Sequence, residues 1–170
     1  MPSTHSLFLV RHAIAMERGD EWPDDAKRPL THDGAARMRR AVKGLASLNV
    51  TVDVVLTSPL VRAVQTAEML VRGWSPHPEL VTLPALDLGV PPGRVIEGLA
   101  PYGKAAGLAL VGHEPGMGEL AAWLIGARVP LPFKKGGVCR IDVPTWPPTR
   151  QGALIWFATP KMLRALGGQK

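Results

Sequence analysis

Three apolar runs of this sequence, each typical of a buried strand, end in side chains that can bind or attack an anion. The groups at these ends, in chain order, are Arg11 with His12, then Ser58 with Arg62, and finally His113. In open α/β sheets, ligand sites lie beyond the carboxyl ends of the strands. The three groups are therefore predicted to meet at one edge of a sheet, although they are far apart along the chain.

These side chains are suited to phosphoryl transfer. Arg11 and Arg62 each present a planar fork of donors that matches phosphate oxygens. Histidine is a good nucleophile near neutral pH and can carry a covalent intermediate. The pair Ser58-Pro59 is typical of a helix start, whose free amides favour an anion. Each signal alone is weak, because such pairs are common in loops; their joint occurrence at three strand ends indicates a site.

The same segments resemble the motifs of the histidine phosphatase superfamily, whose fold is called phosphoglycerate mutase-like. The similar segments are Leu9-Val10-Arg11-His12-Ala13, then Ser58-Pro59 with Arg62-Ala63-Val64-Gln65-Thr66, and Val111-Gly112-His113. The short SixA-type branch, the phosphohistidine phosphatases, has further motifs that resemble Arg28-Pro29-Leu30-Thr31 with Gly34, and Thr159-Pro160-Lys161. The resemblance covers almost the whole chain.

The resemblance implies a role for each matching residue. His12 is expected to be the nucleophile that becomes phosphorylated, while Arg11, Arg62 and His113 bind the phosphoryl group. Arg28 is expected at the rim of the pocket, in contact with the phosphate. Catalysis in this family needs no metal, so neither a metal site nor another cofactor is expected.

Two positions depart from the family pattern. Ala13 stands where glycine is usual, and alanine also occurs at this position in related short members. Many members also place a glutamate between the second and third motifs as the proton donor. The only acidic residue in the corresponding segment, 83–89, is Asp87, which is either the general acid or a solvated loop carboxylate. Trp22, in the polar segment beside the predicted pocket, is a further candidate for substrate contact.

The expected substrate class is phosphohistidine in a protein, for instance one of the histidine-containing phosphotransfer type. An imidazole leaves phosphorus far more easily than an alkoxide does, so a weak or missing acid suits cleavage of a P–N bond. The segments between the motifs are also short, which leaves little chain to cover a small substrate. Two alternatives stay open: a phosphatase of small phosphate esters, and a non-catalytic module that binds a phosphorylated ligand.

Alternating strand and helix patterns must position these motifs. They predict an α/β fold of three layers, with a mostly parallel sheet and helices on both faces, in one domain over residues 1–170. Predicted strands include Leu7–Val10, Val52–Thr57, Leu80–Leu83, Leu108–Val111, Val138–Val143 and Ala153–Ala158. Helices are predicted from Thr31 to about Leu48 and over Pro59–Val71, Pro91–Ala106, Glu119–Ile125 and Pro160–Leu166.

The composition narrows the setting of the protein. The one cysteine among 170 residues, Cys139, excludes an intrachain disulfide and suits a reducing compartment. No apolar run approaches the roughly 18 residues that a membrane helix needs, and the N-terminus lacks a signal-peptide pattern, so a cytoplasmic protein is expected. A net charge of +6 favours anionic partners. The basic residues are spread out and not interleaved with aromatics, so no nucleic-acid partner is expected.

Overall fold

A six-stranded mixed sheet forms the centre of the computed structural model, which describes residues 4–168. The strands are β1 His5–Arg11, β2 Val54–Thr57, β3 Glu79–Thr82, β4 Gly107–Gly112, β5 Val138–Val143 and β6 Ala153–Ala158. Their order across the sheet is β3-β2-β4-β1-β5-β6. The first four in this order are parallel to one another, and β5 and β6 are antiparallel to their neighbours. The prediction of a mostly parallel sheet is confirmed.

Helices cover both faces of the sheet. Their bounds are α1 His32–Ala46, α2 Val61–Gly73, α3 Pro92–Leu99, α4 Gly116–Ile125 and α5 Pro160–Gly167. Because side chains alternate along β1, Phe8 and Val10 pack with α1, α2 and α5, while Leu7 and Leu9 pack with α3 and α4. This confirms the three-layer α/β architecture. Among residues 4–168, no helix has both the length and the apolar character needed to cross a membrane.

The register of the central strands brings the three motifs to one edge. Arg11, the last residue of β1, pairs with Gly112, the last residue of β4. Thr57, the last residue of β2, pairs with Val111 of β4. The residues that follow these three strands therefore emerge side by side, as the sequence pattern predicted.

The helix start predicted at Ser58-Pro59 is wrong. Helix α2 begins at Val61, and Leu60 is its N-cap residue. The amide of Ser58 donates to the carbonyl of Val111 at 3.0 Å, so the chain still follows β4 at this residue and turns into the helix only later. The hydroxyl of Ser58 accepts from the amide of Leu60 and lies inside the site. The helix amides therefore begin further along the chain than expected.

Helix α3 is shorter than its sequence pattern suggested. The prediction covered Pro91–Ala106, but the α-helix ends at Leu99 and continues only as a single tight turn, Ala100–Tyr102. Pro101 has no amide hydrogen to donate and its ring collides with the preceding turn, so the helix cannot continue through it.

Candidate active site

The predicted phosphate-binding residues meet in a pocket at the carboxyl edge of the parallel strands. The pocket has a volume of about 340 Å³, and its lining includes Arg11, His12, Arg28, Arg62 and His113. The other charged residues in the lining are Glu17, Arg18, Glu114 and Lys135. Cationic side chains thus outnumber carboxylates around the pocket, which makes it attractive to an anion.

His12 is held as a neutral imidazole with a defined tautomer. Its Nδ1 lies 2.6 Å from the carbonyl oxygen of Ala13. A carbonyl can only accept, so Nδ1 carries the proton and Nε2 keeps its lone pair. Burial, only partly offset by the hydrogen bond to Ala13, lowers the pKa of His12 to about 3, a shift to which the neighbouring His113 and Arg62 also contribute. The ring is therefore unprotonated, and able to attack, at neutral pH.

His113 lies beside His12, with the two ring centroids 5.1 Å apart. Its Nε2 is hydrogen-bonded to the hydroxyl of Ser58 at 2.7 Å, and both residues are buried. Burial, together with the nearby charge of Arg62, lowers the pKa of His113 to about 4. Ser58, at the end of β2, thus fixes a ring at the end of β4.

Arg62, in the first turn of α2, is 1% exposed and is held by Asp25. Its two terminal nitrogens donate to the backbone carbonyl and to the carboxylate of Asp25, each at 2.9 Å. The same carboxylate accepts from Nε of Arg28 at 3.0 Å. Burial favours the protonated form of Asp25, but the hydrogen bonds from Arg28 and Arg62 outweigh it and lower the pKa of this carboxyl. Asp25 therefore stays ionised and orders two arginines of the site.

Arg11 is held by a residue of the segment between α4 and β5. Its NH1 donates to the carbonyl of Phe133 at 2.7 Å, while the amide of Phe133 donates to Glu114 at 3.1 Å. Burial raises the pKa of Glu114 despite that hydrogen bond and the nearby charge of Arg11. Phe133 thereby connects the carboxylate of Glu114 to the guanidinium of Arg11.

Several buried side-chain nitrogens of the site have no hydrogen-bond partner among residues 4–168. They are Nε of Arg11, Nε of Arg62 and Nδ1 of His113. Buried polar atoms are nearly always hydrogen-bonded, so unpaired ones in a pocket point to an external ligand. Two guanidiniums and an imidazole require that this ligand be rich in acceptor oxygens, as an oxyanion is.

The remaining polar residues of the second motif connect separate parts of the site. The hydroxyl of Thr66 accepts from the amide of Ala13 at 3.1 Å and donates to the carbonyl of Arg62 at 2.8 Å. The side-chain oxygen of Gln65 accepts from the amide of Leu30 at 2.8 Å. One turn of α2 therefore supports the backbone after His12 and the segment that carries Arg28.

Asp87 and Trp22 lie apart from this set. Asp87 does not line the main pocket but a small adjoining cavity of about 20 Å³, together with His113 and Glu114. Its carboxylate accepts from the amide of Leu88 at 2.6 Å. Trp22 is half-buried and lines neither cavity.

Sequence reasoning missed Asp25 and Lys135. The signal for Asp25 was its position three residues before Arg28, a spacing that permits an ion pair across one turn. Lys135 reaches the pocket from the loop before β5, and nothing in the local sequence indicates this. Among residues 4–168, no cluster of three or more side chains suited to a metal is found.

Comparison with known proteins agrees with this geometry. An uncharacterised protein of Picosynechococcus sp. is 34% identical over 150 residues, which are 78% of this chain and 81% of that protein. The phosphohistidine phosphatase SixA of Escherichia coli is 28% identical over 167 residues, which are 94% and 99% of the two chains. A solved structure of the protein histidine phosphatase SixA complexed with tungstate superimposes with a TM-score of 0.81 at 25% identity, covering 92% and 97%.

A family model described as "Histidine phosphatase superfamily (branch 1)" matches residues 7–87, a span that holds Arg11, His12, Arg28 and Arg62. The chain belongs to the histidine phosphatase superfamily. As a histidine phosphatase it uses a histidine nucleophile, and its similarity to SixA places it in the short SixA-type branch. The phosphoglycerate mutase-like fold that the sequence motifs implied is confirmed.

Proposed function

We propose that this phosphatase hydrolyses phosphohistidine in a protein and that His12 is its nucleophile. One observation carries the proposal. Nδ1 of His12 donates to Ala13, so the unprotonated Nε2 belongs to a ring that lines a pocket with four arginines. A neutral imidazole beside cationic donors is what attack on a phosphoryl group requires.

The reaction has two steps. Nε2 of His12 attacks phosphorus, the bond between phosphorus and the substrate imidazole breaks, and that imidazole leaves with the electron pair and takes up a proton. Water then attacks the phosphorylated His12, the P–Nε2 bond breaks, and phosphate is released as the water loses a proton to solvent. Arg11, Arg62 and His113 hold the phosphoryl oxygens through both steps, which is most of the catalysis that phosphoryl transfer needs. Arg28 contacts the phosphate from the rim.

Two features support a phosphohistidine substrate. No carboxylate among residues 4–168 is hydrogen-bonded to His12 or His113, and an imidazole leaving group has little need of a strong acid. The pocket is bordered by exposed side chains, including those of Arg18, Leu88 and Lys135, so a residue on a protein surface can reach it. SixA, a protein histidine phosphatase similar over nearly its whole length, agrees with this substrate class.

Trapping the phosphoenzyme tests the nucleophile. The protein is quenched in alkali during turnover of a radiolabelled phosphohistidine protein, because a phosphohistidine is labile to acid, and the label is mapped by peptide sequencing. We expect the label on His12, none in His12→Ala, and full labelling in the control His32→Ala, which alters an exposed histidine of α1. Labelling that survives in His12→Ala sinks the assignment.

A substrate panel tests the substrate class against small phosphate esters. Glu114 favours the ester alternative, because its raised pKa and its place in both cavities suit a proton donor. We expect kcat/KM for a histidine-phosphorylated protein to exceed that for every sugar phosphate or other alkyl phosphate. Rapid turnover of an alkyl phosphate, with none of the phosphoprotein, selects the alternative.

A further inference from the structure

A second cavity of about 340 Å³ lies beside the catalytic pocket. It is bordered by α1, by the loop before β5 and by the start of α5, and Lys135 lines both cavities. Every charged residue in its lining is cationic: Arg37, Lys134, Lys135, Lys161 and Arg164. We call this set the basic groove.

The charge of the basic groove is hardly compensated by the protein. Of the five cations, only Arg37 forms an ion pair within residues 4–168, with Asp33 at 2.7 Å on the exposed side of α1. Arg28 and Arg62, which line the catalytic pocket, differ because both are paired with Asp25. Like charges gathered on one cavity repel one another and together attract an anionic partner.

The position of the groove relative to the nucleophile is fixed by backbone hydrogen bonds. The amide of Gly136 donates to the carbonyls of Arg11 and His12, at 3.1 and 3.0 Å, and the amide of Gly137 donates to the carbonyl of Lys134 at 2.7 Å. The lysines of this loop are thereby tied to the end of β1. A molecule bound by the groove is held at a defined distance from His12.

We propose that the basic groove binds a carboxylate-rich surface of the phosphorylated protein substrate, next to its phosphohistidine. This inference rests on the proposed function. Arg62 is buried in the catalytic pocket, whereas Lys134 and Lys135 of the loop before β5 and Lys161 of α5 are exposed. Such a spread of flexible cations suits an extended acidic surface, which is attracted by the summed field.

A nucleic acid shares the negative charge but fits the groove less well. Binding of single strands relies on aromatic side chains on which the bases stack. No aromatic residue is among those that line the cavity. The groove therefore favours an acidic protein surface.

The test compares two charge reversals of equal size. Lys161→Glu with Arg164→Glu alters the groove without touching the catalytic pocket. Lys104→Glu with Arg150→Glu is the matched control, because both residues are exposed and precede β4 and β6 at the opposite edge of the sheet. Each protein is assayed, at low and high salt, with p-nitrophenyl phosphate and with a histidine-phosphorylated phosphotransfer domain of net negative charge. Circular dichroism verifies folding, and Lys161→Glu alone replaces the double variant if it unfolds.

We expect the groove variant to lose about tenfold more kcat/KM on the phosphoprotein than on p-nitrophenyl phosphate, since steering by charge changes association rates by this order or more. High salt should lower kcat/KM on the phosphoprotein for the parent and the control, but hardly for the groove variant. If the parent and the groove variant hydrolyse the phosphoprotein equally well, the groove does not bind the substrate, and the proposed function stands. If the parent hydrolyses only p-nitrophenyl phosphate, the proposed function is wrong, and so is the proposal that the groove binds the phosphoprotein. A single-stranded oligonucleotide that binds the parent and competes with the phosphoprotein, but not in the groove variant, also overturns the acidic-surface assignment.

Discussion

Asp25 accepts two hydrogen bonds from Arg62, one at its carboxylate and one at its backbone carbonyl, each at 2.9 Å. Arg62 is 1% exposed, whereas the side chain of Asp25 is 37% exposed. The cation is therefore the buried partner and depends on an anion at the rim of the site. The segment between β1 and α1, which carries Asp25 and Arg28, is thus needed to complete a site whose histidines directly follow strands.

Replacement of Asp25 by alanine is expected to impair catalysis more than stability. Arg62 and Arg28 lose a shared acceptor, and a misplacement of about 1 Å in a phosphoryl-binding group can lower kcat/KM by about a hundredfold. Because water screens the partly exposed carboxylate, the free energy of unfolding should fall by only about 1–2 kcal/mol. The matched control is Asp24→Ala, which removes the same charge from a neighbour that contacts Ala26 and Lys27 instead. Equal losses of kcat/KM in both variants contradict the role of Asp25.

Thr66 is expected to act as a positioning residue for His12. Thr66→Val keeps the shape of the side chain but leaves the buried amide of Ala13 unpaired, which costs about 1–3 kcal/mol of stability. The carbonyl of Ala13 orients the imidazole of His12, so kcat should fall while KM for p-nitrophenyl phosphate changes little. Thr66→Ser restores the hydroxyl and should recover most of the activity. Loss of activity in Thr66→Ser equal to that in Thr66→Val indicates packing rather than hydrogen bonding.

The neutral state of His12 predicts the behaviour of the protein in acid. Its pKa is about 3 in the fold and 6.5 ordinarily, so the unfolded chain binds the proton first as the pH falls. The neutral ring therefore stabilises the fold fully above pH 6.5, and this contribution is lost progressively between pH 6.5 and 3. NMR titration should show the ring of His12 still neutral at pH 5. Urea unfolding should show that His12→Asn loses less stability than the parent between pH 7 and pH 5, and a ring that titrates near 6.5 contradicts the prediction.

The effect of replacing Asp87 should depend on the leaving group of the substrate. If Asp87 donates a proton, Asp87→Asn lowers turnover of any alkyl phosphate that the parent accepts by about a hundredfold or more. Turnover of p-nitrophenyl phosphate and of phosphohistidine should change little, because their leaving groups are expelled easily. Glu114→Gln is the comparison, since Glu114 lines the same small cavity. The same selective loss in Glu114→Gln, but not in Asp87→Asn, assigns the proton to Glu114.

Local sequence signals predicted most of the elements. Buried strands read correctly because continuous apolar runs suit a sheet that is covered on both faces. The errors arose where tertiary contacts decided the local structure. Ser58 has the side chain of a helix cap, but its amide pairs with β4 and its hydroxyl with His113, so α2 begins later.

The sequence by itself determined the residues at the centre of the pocket. A residue that directly follows a parallel strand must emerge at the carboxyl edge of the sheet, so Arg11, His12 and His113 were located by strand position alone. The tertiary structure decided how these residues are held. Loops determine the tautomer of His12, the hydrogen bonds between Asp25 and Arg62, and the position of Lys135 at the pocket. The paths of these loops are set by hydrogen bonds between residues distant in sequence. Local sequence patterns do not predict such hydrogen bonds, because their donors and acceptors meet only after the sheet has brought the loops together.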